Sequence, residues 1–221
     1  MKILKILTIA MMFTIYGFSQ TLGFLCVGSP SPSGRVGVGL PWAYWLQSIN
    51  IQTIVNDTSF QLIVMDYSPD GLDSLKFTPA QIDSVKNSGK YAIGYISIGE
   101  AEDYRYYWDT SWTSSPPAWL GPVNPDWPGN YKVRFWDPQW QNIIFEYIDT
   151  IINQGFDGIY MDIIDGYYYW SVENPEQTDA DSLMCQFILS IKFFITRPSI
   201  LYIMKLTTSE DGRFKVSNIS L

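Results

Sequence analysis

The chain has 221 residues, with 22 acidic and 14 basic side chains, a formal net charge of −8, two cysteines and no histidine. Without histidine there is no Ser-His-Asp or Cys-His relay and no histidine-ligated zinc or copper site, and an acidic chain is poorly suited to nucleic acid, whose phosphates bind basic surfaces. Carboxylates, Tyr, Lys, Arg and Ser therefore remain for catalysis, and neutral or cationic partners are favoured.

The first 20 residues have the three-part pattern of a secretory signal peptide: two lysines, an apolar run over 6–15 and small or polar residues over 17–20. The apolar run is shorter than the roughly 20 residues needed to cross a bilayer. We therefore expect cleavage, no transmembrane segment in the mature chain, and a secreted, periplasmic or cell-surface location. Residues 21–40, rich in Ser, Pro and Gly, are interpreted as a flexible tether. Cys26 within it either pairs with Cys185 or leaves Cys185 as a buried thiol, and the apolar helical pattern around Cys185 favours the thiol.

From residue 41 onward, strand-like runs alternate with helices. Strands are predicted at 42–46, 61–66, 91–98 and 158–162, with a weak one at 200–206. Helices are predicted at 78–89, 137–155 and 181–195; the first begins with a Thr-Pro cap and ends at a glycine. This alternation with tight helix-to-strand turns is typical of parallel α/β structure, either a doubly wound sheet or a barrel.

Acidic residues stand where three of these strands end: Asp66, Glu100 and Asp162. The carboxyl ends of parallel strands form the working face of both architectures, so the three carboxylates are expected at one rim. Without histidine, such carboxylates favour glycoside hydrolysis, in which one acid acts as nucleophile or base and another protonates the leaving oxygen. Asp162 is the catalytic candidate. Asp66 and Glu100 either bind sugar hydroxyls or stabilise the fold through pairs with Arg105 or Lys90.

Two further acids flank the strand at 158–162. Asp165 follows it by one turn, in the loop at the working face. Asp157 precedes Gly158 and is interpreted as turn chemistry at the opposite face. No Asp-x-Asp-x-Asp-Gly loop is present, and neither a metal nor a cofactor is expected.

Residues 99–136 are predicted to form one long functional loop, because idle loops rarely exceed about 15 residues. Ten aromatic side chains lie in it. They are either platforms for sugar rings or the packing of a loop without its own core, and packing is expected for more than half of them. The ligand candidates are those nearest Glu100 and Glu102, namely Tyr104, Tyr107 and Trp108.

Four strings resemble the glycoside hydrolase family 114 domain: DYSPDG at 66–71, GYISIGEAEDYR at 94–105, NPDWPGNY at 124–131 and GFDGIYMDIID at 155–165. That family contains endo-α-1,4-polygalactosaminidases on a TIM barrel. The resemblance implies a (β/α)8 fold and a retaining mechanism with Asp162 as nucleophile and a Glu on a later strand as acid/base. It also implies a sugar pocket lined by Asp66, Tyr95, Glu100 and Asp165.

The length departs from this family, because an eight-unit barrel usually takes about 250 residues. About five βα units are predicted, giving a partial barrel over 41–195 and a divergent tail over 196–221 without a matching acid/base Glu. Two functions stay open. One is a glycosidase cleaving an α-1,4-linked galactosamine-containing polysaccharide, and the other is a non-catalytic or vestigial carbohydrate-binding protein. Both take a polysaccharide or oligosaccharide as partner, and a cationic amino sugar suits the negative charge of the chain.

Overall fold

The computed structural model describes residues 41–195 and 201–204. The predicted signal peptide, the tether with Cys26 and most of the tail lie outside the described residues. Among the described residues no helix has the length and apolar character needed to cross a membrane. In chain order the elements are β1 (Trp42–Trp45), α1 (Ile51–Asn56), β2 (Leu62–Met65), α2 (Pro79–Asn87), β3 (Tyr91–Ser97), β4 (Glu100–Glu102), β5 (Leu120–Val123), β6 (Asn130–Val133), α3 (Pro138–Asn153), β7 (Gly158–Asp162), α4 (Ala180–Phe194) and β8 (Leu201–Met204).

Five parallel strands form the main sheet, in the order β1-β2-β3-β7-β8. Each lies within or beside a strand predicted from the sequence, and β7 has the predicted bounds. Helix α2 begins with the predicted cap, since the Thr78 hydroxyl accepts from the Gln81 amide and the Gln81 side chain accepts from the Thr78 amide. The predicted α/β architecture of about five βα units is confirmed.

The two faces of the main sheet bury different clusters, because successive side chains of a strand point to opposite faces. One face packs against the helices, including the apolar stripe of α3. Its strand residues are Ile63, Met65, Ala92, Ile96, Ile159 and Met161. The other face carries a smaller cluster made of Leu62, Val64, Ile93, Tyr95 and Tyr160.

The main sheet is strongly curled toward the smaller cluster. Tyr44 on β1 lies edge-on to Tyr95 of β3 and Tyr160 of β7, with ring centroids 6.2 and 5.6 Å apart. Three strand spacings separate β1 from β7, about 14 Å in a flat sheet. Rings on β1 and β7 therefore meet only because the sheet bends around them. The smaller cluster thus occupies the concave side, which is the interior of a barrel wall.

Residues 99–136 contain a second sheet rather than a single loop. It is antiparallel, in the order β4-β6-β5, with Glu100 opposite Lys132 and Glu102 opposite Asn130. Its strands have three or four residues and include Gly, Pro, Asn and charged side chains. Such short strands carry no clear alternation, so this inserted sheet is not visible in the sequence. It begins three residues after the end of β3 and therefore stands at the carboxyl rim of the main sheet.

Close packing of α3 on β3 depends on Gly94. A Cβ at this position would clash with Ile151 Cγ2. We expect Gly94→Ala to lower the free energy of unfolding by about 1–3 kcal/mol and Ile151→Ala to lower it by about 2–5 kcal/mol. The double variant should lose less than the sum, because the truncated side chain makes room for the new methyl group. Urea denaturation of the four proteins measures this, and strictly additive losses would contradict the packing.

Candidate active site

Asp162 is the last residue of β7 and is 7% exposed. It lies opposite Ser97 on β3, and its backbone carbonyl accepts a hydrogen bond of 3.1 Å from the Ile98 amide. The chain then turns sharply, since Ile163 has a φ of +55°, a value that is uncommon for a β-branched residue. Gly99 makes this turn possible, because a Cβ on Gly99 would collide with the Ile163 carbonyl oxygen. The ends of β3 and β7 therefore fix the position of Asp162 together.

Three tyrosines on the concave side lie near Asp162. Tyr95 and Tyr160 are buried and stacked with centroids 6.4 Å apart, whereas Tyr44 is 40% exposed. Burial raises the pKa of each hydroxyl above its usual range, and the negative charge of Asp162 raises it further. These hydroxyls therefore stay protonated and can donate hydrogen bonds. The negative charge of Glu102 also raises the pKa of Tyr44 and Tyr95, because this second carboxylate lies in the same region.

Arg105 joins two buried carboxylates at the rim. Its Nη1 lies 2.7 Å from Asp66 Oδ2, and its Nε donates to Glu102 Oε2 at 2.6 Å. Tyr104 donates its hydroxyl to the other Glu102 oxygen at 2.7 Å. The side chain of Arg105 is 1% exposed, so the contacts form away from water. Asp66 follows β2 and Glu102 ends β4, so one cation ties the main sheet to the inserted sheet.

The charges of this cluster shift one another's pKa. Burial raises the pKa of the Asp66 carboxyl to about 6, because removal from water outweighs the lowering effect of Arg105. Burial opposes the charge of Arg105, yet Glu102 and Asp66 hold its pKa well above the usual range. The guanidinium carbon also lies 4.9–5.7 Å from the ring centroids of Tyr67, Tyr104 and Tyr147, which adds cation–π attraction. The pair between Asp66 and Arg105 agrees with the alternative in which Asp66 stabilises the fold instead of binding sugar hydroxyls.

Glu100 is buried in a separate polar pocket of the inserted sheet. Its carboxylate accepts from Lys132 Nζ at 2.6 Å, from Asn124 Nδ2 at 2.9 Å and from Asn130 Nδ2 at 3.3 Å. Its backbone carbonyl accepts from the Ser97 hydroxyl. Glu100 thus pairs with Lys132, a partner that the sequence does not single out, rather than with Arg105 or Lys90.

The remaining predicted residues lie in different surroundings. Trp108 is half-buried and packs against Trp112 and Tyr131, with ring centroids 5.2 and 4.7 Å away. Asp165 is exposed in the 3₁₀ turn Ile164–Gly166 that follows β7. Asp157 lies at the other end of β7, where its carboxylate accepts from the Ala92 amide of β3 and pairs with Lys86 of α2, so it links neighbouring elements at the face opposite to Asp162.

The structure adds Tyr44 and Tyr160 to the residues around Asp162. Tyr160 precedes Asp162 by two positions and shares its face of β7, a signal that strand alternation provides. Tyr44 lies on the short strand β1, and only the curl of the sheet brings it to β7. Most aromatic side chains of the inserted segment pack as expected, with Tyr104, Tyr106 and Trp127 as the exposed ones.

A family model described as glycoside hydrolase family GH114 matches residues 27–192. An uncharacterized protein of Methanocaldococcus jannaschii, MJ1477, is 48% identical over 150 residues, which are 68% of this chain and 43% of that protein. An uncharacterized protein of Thermotoga maritima is 39% identical over 165 residues, covering 73% of this chain and 51% of that protein. The chain thus spans about half the length of these curated relatives.

Two solved structures share the fold. The glycoside hydrolase domain of PelA from Pseudomonas aeruginosa has a TM-score of 0.53 at 15% identity, covering 72% of this chain and 56% of that chain. Ega3 from Aspergillus fumigatus, in complex with galactosamine, has a TM-score of 0.51 at 20% identity, covering 73% of this chain and 60% of that chain. At these identities the likeness concerns the fold, and the predicted TIM-barrel type is confirmed.

Loss of the Arg105 cation should destabilise the protein strongly. Arg105→Met keeps the volume but leaves Asp66 and Glu102 buried without their cation, so we expect the free energy of unfolding to fall by about 3–5 kcal/mol. The control is Lys76→Met, which removes an exposed pair with Asp73 and should cost about 0–1 kcal/mol. Urea denaturation compares them, and equal losses would contradict a buried ionic cluster.

Asp66 should give the stability a specific pH dependence. Its folded-state pKa of about 6 lies above the unfolded value near 3.9, so its contribution is fully present below about pH 4 and is lost as the pH rises through 6. The stability difference between wild type and Asp66→Asn should therefore shrink by on the order of 3 kcal/mol between pH 4 and pH 7. Denaturation across this range measures the difference.

Asp109→Asn serves as the opposite control for this titration. Hydrogen bonds from Ser111 lower the pKa of Asp109, so its contribution is lost as the pH falls. A wild-type advantage over Asp66→Asn that is constant, or that grows toward neutral pH, would show that Arg105 outweighs burial at Asp66.

Proposed function

The chain belongs to glycoside hydrolase family GH114, and we propose that it is a retaining glycosidase that cleaves an α-1,4-linked galactosamine-containing polysaccharide with Asp162 as nucleophile. The observation that carries this proposal is the position of Asp162 at the carboxyl end of β7, among three protonated tyrosines on the concave side of the sheet. Galactosamine as the sugar is supported by the ligand of Ega3 and by the net charge of −8.

In the proposed reaction the Asp162 carboxylate attacks the anomeric carbon while the glycosidic C–O bond breaks. The leaving oxygen takes a proton from a general acid, and water then hydrolyses the glycosyl–enzyme bond to restore the carboxylate. The hydroxyls of Tyr44, Tyr95 and Tyr160 are donors that can orient the sugar, because their raised pKa keeps them protonated.

The substrate-binding set of the proposal has two kinds of members. Tyr95, Glu102 and Tyr104 belong to the region around Asp162, and Tyr104 offers a 43% exposed ring as a sugar platform. The others are Asp66, Glu100, Trp108 and Asp165. For Asp66 and Glu100, the buried partners favour positioning of the rim over direct contact with sugar.

Secretion is part of the same proposal. A polysaccharide too large to enter a cell must be cleaved outside it, and residues 1–20 carry the signal-peptide pattern. Removal of this segment would take away two lysines and no acids, so the mature chain would be more strongly negative.

One observation favours the second function, binding of carbohydrate without cleavage. Glu100 is paired with Lys132 and Glu102 with Arg105. Every carboxylate oxygen of the two residues already accepts a hydrogen bond, whereas a general acid must direct an O–H group at the leaving oxygen. Neither glutamate of the rim is therefore suited to protonate the leaving oxygen, and a chain without another acid would retain the sugar but not cleave it.

Release of reducing ends from an α-1,4-galactosamine polymer tests the proposal. Asp162→Asn should lower turnover by about 1000-fold or more, because the attacking carboxylate is lost. Asp157→Asn, an acid at the opposite end of the same strand, is the matched control and should keep turnover. Polymer binding is measured alongside. Turnover unaffected by Asp162→Asn would refute the nucleophile, and tight binding by a wild type without turnover would establish the second function.

A further inference from the structure

The turn between β5 and β6 presents a tryptophan to solvent. Trp127 is 69% exposed and is the most exposed of the nine tryptophans, all of which lie in the described part of the chain. Val123, at the end of β5, is also 47% exposed. Exposure of the apolar indole ring to water is unfavourable, but its flat face is available to bind another apolar surface.

The turn that carries Trp127 is fixed by its own hydrogen bonds. The Asn124 amide donates to the Asn130 carbonyl at 2.7 Å, and the Asn130 amide donates to the Trp127 carbonyl at 3.0 Å. Gly129 adopts a φ of +101°, and its carbonyl accepts from the Asp103 amide at 2.8 Å. The exposure of Trp127 is thus a property of an ordered turn, and little conformational entropy is lost when a ligand binds it.

The same turn is anchored to the rim of the barrel. Asn124 and Asn130, which flank it, both donate side-chain hydrogen bonds to the buried Glu100 carboxylate. Glu100 follows β3 by three residues, and β3 pairs with β7, which ends at Asp162. Trp127 therefore stands on the same side of the barrel as the proposed nucleophile.

The charges around Trp127 favour a cation. Asp126 beside it and Asp103 against Gly129 are exposed acids, while the Lys132 charge is taken up by Glu100. A pyranose ring that carries an amino group suits both the indole and the acids. Its C–H face can stack on the indole, and its ammonium group is attracted to the indole ring and to the carboxylates. A neutral or anionic glycan could stack on the indole but would gain no attraction from the carboxylates.

From this arrangement we infer that Trp127 is the platform of a second carbohydrate site, which binds a cationic amino-sugar chain at the rim, outside the pocket of Asp162. The inference rests on the proposed function for the identity of the polymer. The site would hold a chain whose other units extend toward Asp162, and it would act on long polymers and not on single sugars.

Binding of a soluble, fully deacetylated α-1,4-galactosamine polymer to the full chain carrying Asp162→Asn tests this site without turnover. Addition of Trp127→Ala should weaken binding by about 5- to 30-fold, and Trp127→Phe should recover part of it. The matched control is Phe193→Ala, an aromatic residue of α4 that is 76% exposed and should leave binding unchanged. The affinity for free galactosamine should not respond to Trp127→Ala.

Three results would overturn the inference. The first is an equal polymer affinity with and without Trp127, and the second is no polymer binding by the Asp162→Asn chain. The third is that Trp127→Ala weakens binding of polylysine, which has the charge without a sugar ring, as much as it weakens binding of the polymer. Sedimentation of the same proteins identifies another occupant, because a dimer lost in Trp127→Ala would make this surface a contact between copies and not a glycan site. Failure of the proposed function is read separately, from turnover by wild type and Asp162→Asn.

Discussion

The buried contacts of Arg105 hold the rim of this protein together. Asp66 at the end of β2 and Glu102 at the end of β4 share one guanidinium, and neither partner is accessible to water. Each buried ion loses several kcal/mol of hydration. The hydrogen bonds between Arg105 and the two carboxylates therefore have to offset this loss, and at Asp66 burial still raises the pKa to about 6. The rings of Tyr67, Tyr104 and Tyr147 around Arg105 keep water out. The inserted sheet is therefore fixed at the carboxyl rim of the main sheet by the contacts of Arg105 with Asp66 and Glu102.

The carboxylates of the rim consequently fall into two groups. Asp66, Glu100 and Glu102 each contact a buried or half-buried cation and determine where the backbone lies. Asp162 lies among tyrosines whose hydroxyls remain donors. As the proposed nucleophile, Asp162 would have to approach a sugar carbon, and donors around it could bind the hydroxyls of that sugar. Carboxylates held by cations are better suited to keeping such a pocket in shape than to reacting in it.

The sequence predicts the features that have strong local signals. The bounds of β7, the cap of α2 and the apolar stripe of α3 follow from periodicity and capping, which depend on neighbouring residues only. The inserted sheet could not be predicted, because strands of three or four residues have too few positions to show alternation. The partner of Asp66 is 39 residues away, and Arg105 appears in the sequence only as one alternative. The contact of Tyr44 with the tyrosine ring on β7 is still harder to predict, because it depends on the curl of four strands.

That curl also decides how a ligand can reach Asp162. Tyr95 and Tyr160 lie opposite each other in the sheet, one layer below Ser97 and Asp162, and Tyr44 meets both rings from β1. The three rings fill the concave side beneath Asp162, as the packed layers of a barrel interior do. On the proposed function, a substrate would therefore approach Asp162 across the rim. The inserted sheet stands on that rim, where Arg105 and Glu100 fix it. A chain-like ligand crossing toward Asp162 would consequently pass the surface that this sheet presents, and the buried ion pairs of Arg105 and Glu100 position that surface.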